Sequence, residues 1–314
     1  MVEGKISAIN LDKTTETKPI TPGVLESFVG NDGTLADVEL SGGTTFTATA
    51  IKNAVEAGFK VLTDNNLIKE AVKTPEQILT ELIPTVHTGL VSEGVLKADA
   101  ITEVSGNITS GYKAKNNTGF ALIMTKGEEK VLAVTNVLGL AKVYNTEGAD
   151  ITADNADLVT EALAYQEANG KKFYDLAVKK FTTIMEGAAN FKEVKPEIFN
   201  TVVAAMEFDV NGTKYYGFNA KPFGYDVMDL YVVVDATGKV VKVTATEVFI
   251  DPTGYIPAPD GLDKYGDKFI GMNGNEAIDG VEVIGSATLS SNAFKLAIKD
   301  ALATFNKINV GGAE

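Results

Sequence analysis

The sequence predicts an α+β fold of two related modules, each a twisted, mainly antiparallel sheet with helices packed on it. Three observations support this prediction: alternating apolar strands that follow Gly-Lys turns, helical runs with one apolar stripe, and two pairs of internal repeats. The chain has 314 residues, of which 45% are hydrophobic and 22% are charged. This length and composition are sufficient for two folded domains.

The first internal repeat contains a strand, a Phe-x-Gly turn, a small-residue segment and a helix. Residues 3–17 (EGKISAINLDKTTET) resemble residues 237–254 (TGKVVKVTATEVFIDPTG), and in each a Gly-Lys turn precedes the alternating apolar residues of a strand. Residues 26–33 (ESFVGNDG) then match residues 267–274 (DKFIGMNG). The small-residue segment and its helix follow in both copies. We call this unit the C-half.

The second internal repeat, which we call the N-half, contains short strands separated by turns. Residues 111–137 parallel residues 217–248, and a helical stretch lies upstream of each copy, from Thr74 and from Tyr174. The apolar residues at helical spacing in these two stretches are Ile78, Leu79 and Leu82 in the first and Leu176, Ala177, Phe181 and Ile184 in the second.

The units follow one another as C-half, N-half, bridging helix, N-half and C-half. The bridging helix is predicted between an N-cap at Asp154 or Asn155 and a stop at Gly170. Residues 151–314 then form a complete module, and residues 1–150 form a related module with its halves in reversed order. Either a circular permutation or the joining of two broken repeats gives this order. We expect one packed module, because an isolated C-half would leave the apolar face of its strands uncovered.

The small-residue segment of the second module favours the binding of a phosphate. Gly285, Ser286 and Ala287 carry almost no side-chain bulk, and Thr288 follows at the predicted start of a helix. The free N–H groups and the dipole at a helix start favour a phosphate. Ser and Thr are also ordinary N-cap residues, so a plain helix cap is the alternative. The apolar stripe of the following helix is Phe294, Ala297, Ile298 and Leu302.

This pattern resembles the FMN-binding domain found in the C and G subunits of sodium-pumping quinone reductase and Rnf complexes, and in related bacterial surface lipoproteins. That family carries the signature Asp-x-x-Ser-Gly-Ala-Thr-x-Ser/Thr, in which a flavin transferase esterifies the Thr to the FMN phosphate. The stretch EVIGSATLS matches the signature at Ala287, Thr288 and Ser290. It has Glu282 at the Asp position, and its Gly285-Ser286 pair reverses the Ser-Gly order.

The first module carries a second version of the signature. The stretch ELSGGTTFT matches it at Gly43, Thr45 and Thr47, with Glu39 in place of Asp and Thr44 in place of Ala. A Glu-Thr-Pro-Gly segment that follows the strands in this family corresponds to residues 251–254 (DPTG). The resemblance covers about residues 170–308 in order and residues 1–140 in rearranged order.

The resemblance implies a flavoprotein in which FMN is tethered at Thr288, with Thr45 as a second position, and in which the flavin ring transfers electrons. We expect the ring between the Thr288 loop and residues 251–255, flanked by Tyr225 and Tyr255. The alternatives are a degenerate domain that serves as a non-redox surface or interaction module, and a reversible flavin binder. The implied cofactor-binding residues are Gly285, Ser286, Ala287, Thr288, Ser290, Ser291, Asp251, Thr253, Gly254, Gly43, Thr44, Thr45 and Thr47.

The composition limits the partners and the chemistry. The net charge of −14 argues against nucleic acid, and the lack of Cys excludes thiol catalysis, disulfides and thiolate metal sites. We see no apolar run long enough to span a membrane. We expect an extracytoplasmic location in the periplasm or on the surface of a bacterial cell, with any signal or anchor upstream of Met1. The partners implied by the resemblance are redox proteins or a quinone-reductase or Rnf complex, and a flavin transferase.

The sequence gives little support for other kinds of catalytic or nucleotide-binding site. His87 is the single histidine and follows a predicted helix, where a structural or solvent-exposed role is expected. The chain contains no dinucleotide-binding glycine fingerprint and no phosphate-loop Gly-Lys-Ser/Thr motif. No acid–base pair for hydrolysis is recognisable. We therefore expect an electron carrier rather than an enzyme with substrate chemistry of its own.

Overall fold

A computed structural model describes most of the chain and divides it into two compact units. The units are Met1–Thr74 and Pro75–Glu314. The described residues are 6, 9, 28–30, 45–65, 73–247, 265–285 and 287–310.

The described part of the first unit consists mainly of a helix and a turn that carries one buried Phe. Helix α1 spans Thr45–Asp64, so it begins at the Thr that the sequence places at the start of a helix. Phe28 is fully buried, and the N–H of Gly30 donates a hydrogen bond of 2.8 Å to the carbonyl of Ile6. Helix α1 has no acidic residue in its first turn.

The second unit contains five α-helices, three short 3-10 helices and twelve strands among its described residues. The helices are α2 (Pro75–Val86), α3 (Ala156–Asn169), α4 (Tyr174–Ile184), α5 (Asn275–Asp279) and α6 (Thr288–Val310). The strands are β1 (Val91–Ser92), β2 (Val95–Leu96), β3 (Ala98–Ala100), β4 (Ile108–Ala114), β5 (Gly119–Lys126), β6 (Glu129–Asn136), β7 (Ala141–Tyr144), β8 (Ala188–Glu193), β9 (Val202–Val210), β10 (Thr213–Ala220), β11 (Asp229–Asp235) and β12 (Val240–Glu247).

The strands form two five-stranded antiparallel sheets and a separate hairpin. Sheet 1 has the order β3-β4-β5-β6-β7, sheet 2 has the order β12-β11-β10-β9-β8, and β1 pairs with β2. Each sheet is a meander, in which consecutive strands are antiparallel neighbours. The predicted α+β fold class, with two mainly antiparallel sheet modules and packed helices, is therefore confirmed.

Each sheet is covered on both faces by helices. In sheet 1, α2 packs on one face, and α3 packs on the opposite face against Phe120, Leu122 and Met124. In sheet 2, α4 packs on one face, and α6 packs on the opposite face against Leu230, Val232 and Val234. Strands β5 and β11 are equivalent in the predicted repeat, so α3 has the same place on sheet 1 as α6 has on sheet 2. The predicted module boundary after residue 150 remains a prediction.

The predicted helices are present, with two corrections to their side chains. Helix α3 has Asn155 as its N-cap and Gly170 as its C-cap, as predicted. The Asn155 side chain does not cap the helix, because its Nδ2 donates a hydrogen bond of 2.5 Å to the carbonyl of Ile151. In α4, Ala177 and Phe181 are buried as predicted, but Leu176 is 52% exposed, because it lies outside the stripe that contacts sheet 2.

The two sheets meet through polar side chains that bond to loop carbonyls. Asn116 Nδ2 donates to the carbonyl of Lys221 at 2.7 Å, and Asn136 Nδ2 donates to the carbonyl of Ile198 at 2.9 Å. Both Asn side chains are buried, so these bonds satisfy carbonyl groups that water reaches poorly. The bonds therefore fix one end of sheet 1 against the β8–β9 and β10–β11 loops of sheet 2.

The predicted C-half repeat has a structural counterpart in both units. The N–H of Gly271 donates a hydrogen bond of 2.7 Å to the carbonyl of Val240, and Phe269 is fully buried. The bond from Gly30 to Ile6 and the buried Phe28 are the equivalent features of the first unit. Gly30 and Gly271 also share a left-handed backbone, with φ of +88° and +86°. The sequence repeat therefore corresponds to a repeated turn.

Replacing Gly271 by Ala tests this turn. No described atom lies within 4 Å of a Cβ added at Gly271, so the cost comes from the left-handed backbone. We expect the free energy of unfolding to fall by about 1 kcal/mol, measured by urea denaturation. Gly285→Ala is the control, because Gly285 is equally open and lies outside the left-handed region. A Gly271→Ala variant no less stable than Gly285→Ala would contradict the assignment.

Candidate functional site

Helix α6 is fixed to sheet 2 along its whole length. All four residues of the predicted apolar stripe are buried in the core that α6 shares with sheet 2. The helix has 23 residues, and Ala301 and Phe305 in its second half are buried as well. The first turn of α6 therefore stands at a defined place beside the sheet.

Thr288 is the first residue of α6, as predicted, and it is exposed. The helix geometry leaves the N–H groups of Thr288, Leu289 and Ser290 without a carbonyl acceptor inside the helix. The first turn of α6 contains no acidic residue. Together the N–H groups and the helix dipole favour an anion beside the Thr288 hydroxyl.

The loop before α6 is held against the helix by hydrogen bonds. The N–H of Ala287 donates to the carbonyl of Ile284 at 2.8 Å, and the N–H of Ile284 donates to Ser291 Oγ at 3.0 Å. Ser291 is fully buried, so it fixes the loop. Its predicted contact with the cofactor remains a prediction, as does that of the buried Ser290. Gly285 is exposed in the same loop, and no described atom lies within 4 Å of a Cβ added there.

The loop between β10 and β11 approaches the first turn of α6. A Cβ added to Gly224 would lie 3.3 Å from the Cα of Ser290 and 2.8 Å from the Sδ of Met228, so a side chain there would require both neighbours to shift. The next residue, Tyr225, is 60% exposed. An exposed aromatic side chain thus lies on a loop that contacts the start of α6, where the sequence predicts an aromatic flank for the flavin.

A hollow of about 120 Å³ lies beside the first two turns of α6. Its lining residues are Val91, Ser92 and Glu93 of the β1–β2 hairpin, Phe223, and Leu289, Asn292, Ala293 and Leu296 of α6. The hairpin was missed in the sequence, because strands of two residues show no clear alternation. The Glu93-Gly94 pair between short apolar runs is the signal that could have indicated it.

A partly buried carboxylate connects α6 to the start of β9. Asp300 Oδ2 accepts hydrogen bonds from the N–H of Thr201 at 3.0 Å and from Thr201 Oγ1 at 2.5 Å. Burial raises the pKa of Asp300 to about 6, and the bonds from Thr201 offset part of that shift. The neighbouring Asn200 donates through Nδ2 to the carbonyl of Asp300 at 3.1 Å.

Tyr265 lies beneath the same helix. Its ring contacts the ring of Phe294 at 5.6 Å between centroids, and burial raises the pKa of its phenol. The Ser291 hydroxyl opposes this shift, but it forms no hydrogen bond of normal geometry with Tyr265. Among the described residues, the Tyr265 hydroxyl has no hydrogen-bond partner.

His87 has a structural role, one of the two roles expected from the sequence. It is fully buried at the end of α2, and its Nε2 lies 3.1 Å from the carbonyl of Thr135. Burial lowers the pKa of His87 to about 3, so the side chain is neutral at physiological pH. Its ring contacts Phe199 at 5.2 Å between centroids. Within the described ranges, no group of acidic or histidine side chains could hold a metal ion, and no helix is long and apolar enough to span a membrane.

The described residues include only part of the predicted site. Gly43, Thr44, Asp251, Thr253, Gly254, Tyr255 and Ser286 lie outside the described residues. Thr45 and Thr47 are in the first turn of α1, but their side chains are not described. The structure thus brings together Gly285, Ala287, Thr288, Ser290 and Ser291 at the start of α6.

Comparison with known proteins agrees with this geometry. Residues 224–303 match the family model of the FMN-binding domain, which runs from the β10–β11 loop through most of α6. This part of the chain is therefore an FMN-binding domain, and FMN is its cofactor. No curated protein matches the chain. The residues around Thr288 fit FMN, because they combine an exposed hydroxyl, free N–H groups and little side-chain bulk.

Replacing Asp300 by Asn tests how α6 is held. The pKa of Asp300 is about 6 in the folded chain and near 3.8 when unfolded, so the folded state binds more protons between these values. The wild type should therefore lose stability relative to Asp300→Asn as pH rises from about 4 to 6. We expect a relative change on the order of 1–2 kcal/mol, measured by urea denaturation at each pH.

The exposed Glu186→Gln variant controls for the loss of one negative charge and should keep the wild-type pH dependence. If Asp300→Asn and the wild type showed parallel pH profiles, the raised pKa of Asp300 would be wrong.

Proposed function

We propose that this chain is a flavin-bearing electron-transfer protein whose FMN is esterified through its phosphate to Thr288. The observation that carries the proposal is the exposed Thr288 at the start of a 23-residue helix, inside the segment that matches the FMN-binding domain. Free N–H groups occur at every helix start, so the family of the segment is what favours a phosphate over a plain helix cap. The proposal therefore explains both the position of Thr288 and the family of the segment.

Attachment at Thr288 requires an enzyme and an activated flavin nucleotide. The Thr288 hydroxyl gives up its proton, and its Oγ forms a new bond to the phosphorus, while the bond from that phosphorus to the leaving group of the donor breaks. The chain then gains the mass of one FMN less one water. A flavin transferase is the proposed catalyst, because the resemblance of this segment to the FMN-binding domain implies that enzyme for the attachment.

The residues of the chain position the cofactor rather than react with a substrate. The N–H groups of Leu289 and Ser290 would donate hydrogen bonds to the phosphate oxygens, and the helix dipole would stabilise their negative charge. Tyr225 on the β10–β11 loop provides an aromatic surface beside the site. FMN, when bound, supplies the electron-transfer chemistry.

The location and partners complete the proposal. We place the protein outside the cytoplasm of a bacterial cell, in the periplasm or on the surface, where the chain exchanges electrons with redox proteins or with a complex of the quinone-reductase or Rnf type. The net charge of −14 and the lack of Cys support this placement. A positively charged docking surface on the partner would complement that charge.

Co-expression with a bacterial flavin transferase tests the attachment. We expect the intact mass to rise by one FMN less one water, and we expect Thr288→Ala to abolish the rise, because the bonded oxygen is removed. Thr288→Ser is the matched control and should keep the attachment. Thr45→Ala tests the second predicted position. If Thr45 is also esterified, the wild type carries two increments of one FMN less one water, and Thr45→Ala removes one of them.

The other outcomes contradict the proposal in different ways. Yellow colour that is lost on gel filtration, without a mass increment, indicates a reversible flavin binder. A colourless chain of unchanged mass indicates a domain that serves as a surface or interaction module.

A further inference from the structure

The hollow beside α6 has walls from both sheet modules of the second unit. The β1–β2 hairpin precedes sheet 1, whereas Phe223 and α6 belong to the sheet 2 part of the chain. The hairpin turns at Glu93 and Gly94, with φ of +51° and +77°. Such a two-residue turn holds its central residues at a fixed place. Glu93 is thus held at the rim of the hollow.

The hollow begins one turn from Thr288. Asn292 follows Thr288 by four residues, so the two side chains lie one above the other on the same face of α6. Helix side chains also lean toward the N-terminus, which brings Asn292 toward Thr288. Because Asn292 and Leu289 both line the hollow, a group attached to Thr288 has direct access to it.

The chemistry of this surface corresponds to a ligand with an anionic tail and an apolar ring. The helix start accepts an anion, and the adjacent hollow has apolar walls that include Val91, Phe223 and Leu289. Leu289 is 39% exposed, so part of its apolar surface faces water unless a ligand covers it. The hollow is smaller than the roughly 300–1,000 Å³ of pockets that enclose whole ligands, so it accommodates only part of a ring.

We propose that this hollow receives one edge of the isoalloxazine ring of the FMN attached at Thr288, and that Ser92 and Glu93 of the β1–β2 hairpin position that ring. This inference rests on the proposed function. The rest of the ring remains accessible for electron exchange. The module of sheet 1 thus contributes to the flavin site of the module of sheet 2.

The Glu93 carboxylate gives the hairpin an electrostatic effect on the flavin. Reduction adds negative charge to the ring, and a nearby carboxylate disfavours that charge. Glu93→Gln should therefore raise the midpoint potential of the bound flavin, measured by spectroelectrochemical titration at low ionic strength, where screening is weak. The matched control is Glu128→Gln, since Glu128 is also exposed in a tight hairpin turn but lies at the end of sheet 1 away from sheet 2.

A steric variant provides a second readout. Ser92→Phe fills the hollow and should displace the ring, so that iodide quenches the flavin emission more strongly than in the wild type. Ser110→Phe places the same ring at an exposed position of β4 and should leave the quenching unchanged. Circular dichroism of each variant verifies that the fold is intact.

The outcomes separate this inference from the proposed function. A mass increment of one FMN, with a midpoint potential that rises in Glu93→Gln and not in Glu128→Gln, supports both the attachment at Thr288 and the hairpin contact. A normal increment with wild-type potential in Glu93→Gln and wild-type quenching in Ser92→Phe overturns the hairpin contact and leaves the attachment at Thr288 standing. If co-expression gives no increment, the proposed function fails, and the hairpin contact fails with it.

Discussion

The packing of α6 on sheet 2 fixes the position of the helix start that carries Thr288 in the proposed flavin site. Phe294, Ala297 and Ile298 are fully buried against the sheet, and removal of one large buried side chain of this kind costs about 2–5 kcal/mol. A shift of the helix along the sheet would break several such contacts at once. The hydrogen bonds from Thr201 to Asp300 fix the same helix at its middle. Thr288 therefore keeps its place whether or not a cofactor is attached.

The electrostatics of the site are local and do not follow the net charge of the chain. The chain carries a net charge of −14, which opposes an incoming phosphate at long range. Salt screens charges beyond about 8–10 Å at physiological ionic strength, whereas the helix start acts at contact distance. The dipole contributes about 0.3–2 kcal/mol, and the hollow is shallow, so these interactions alone would hold FMN weakly. The proposed covalent bond at Thr288 would explain how so open a site retains its cofactor.

Much of the fold could be predicted from the sequence because its signals are local. Alternation and Gly-Lys turns identify β11 and β12, and helical spacing identifies α2, α4 and α6. The start of α6 at Thr288 follows from the small residues before it and the apolar stripe after it. The exposure of Leu176 could not be predicted, since its spacing fits the stripe and only the curvature and tilt of sheet 2 decide which residues make contact.

The hollow could not be predicted from the sequence, for a related reason. Its walls come from segments about two hundred residues apart, and the hairpin contributes through a turn rather than through a periodic strand. The sequence could indicate a hydroxyl at a helix start, but not which distant segment lies beside it. The buried side chains of Asn116 and Asn136, which bring the two sheet modules together, show no pattern that distinguishes them from surface residues.

The most direct test of a phosphate ester at Thr288 is the phosphorus NMR spectrum of the flavin-loaded protein as a function of pH. A phosphate bonded to both the flavin and Thr288 has no second ionisation, so we predict a resonance whose position is constant between about pH 5 and 8. A free phosphate monoester loses its second proton at about pH 6. A resonance that shifts with a midpoint near that pH, and that disappears on dialysis, would contradict the ester and indicate FMN bound without a covalent bond.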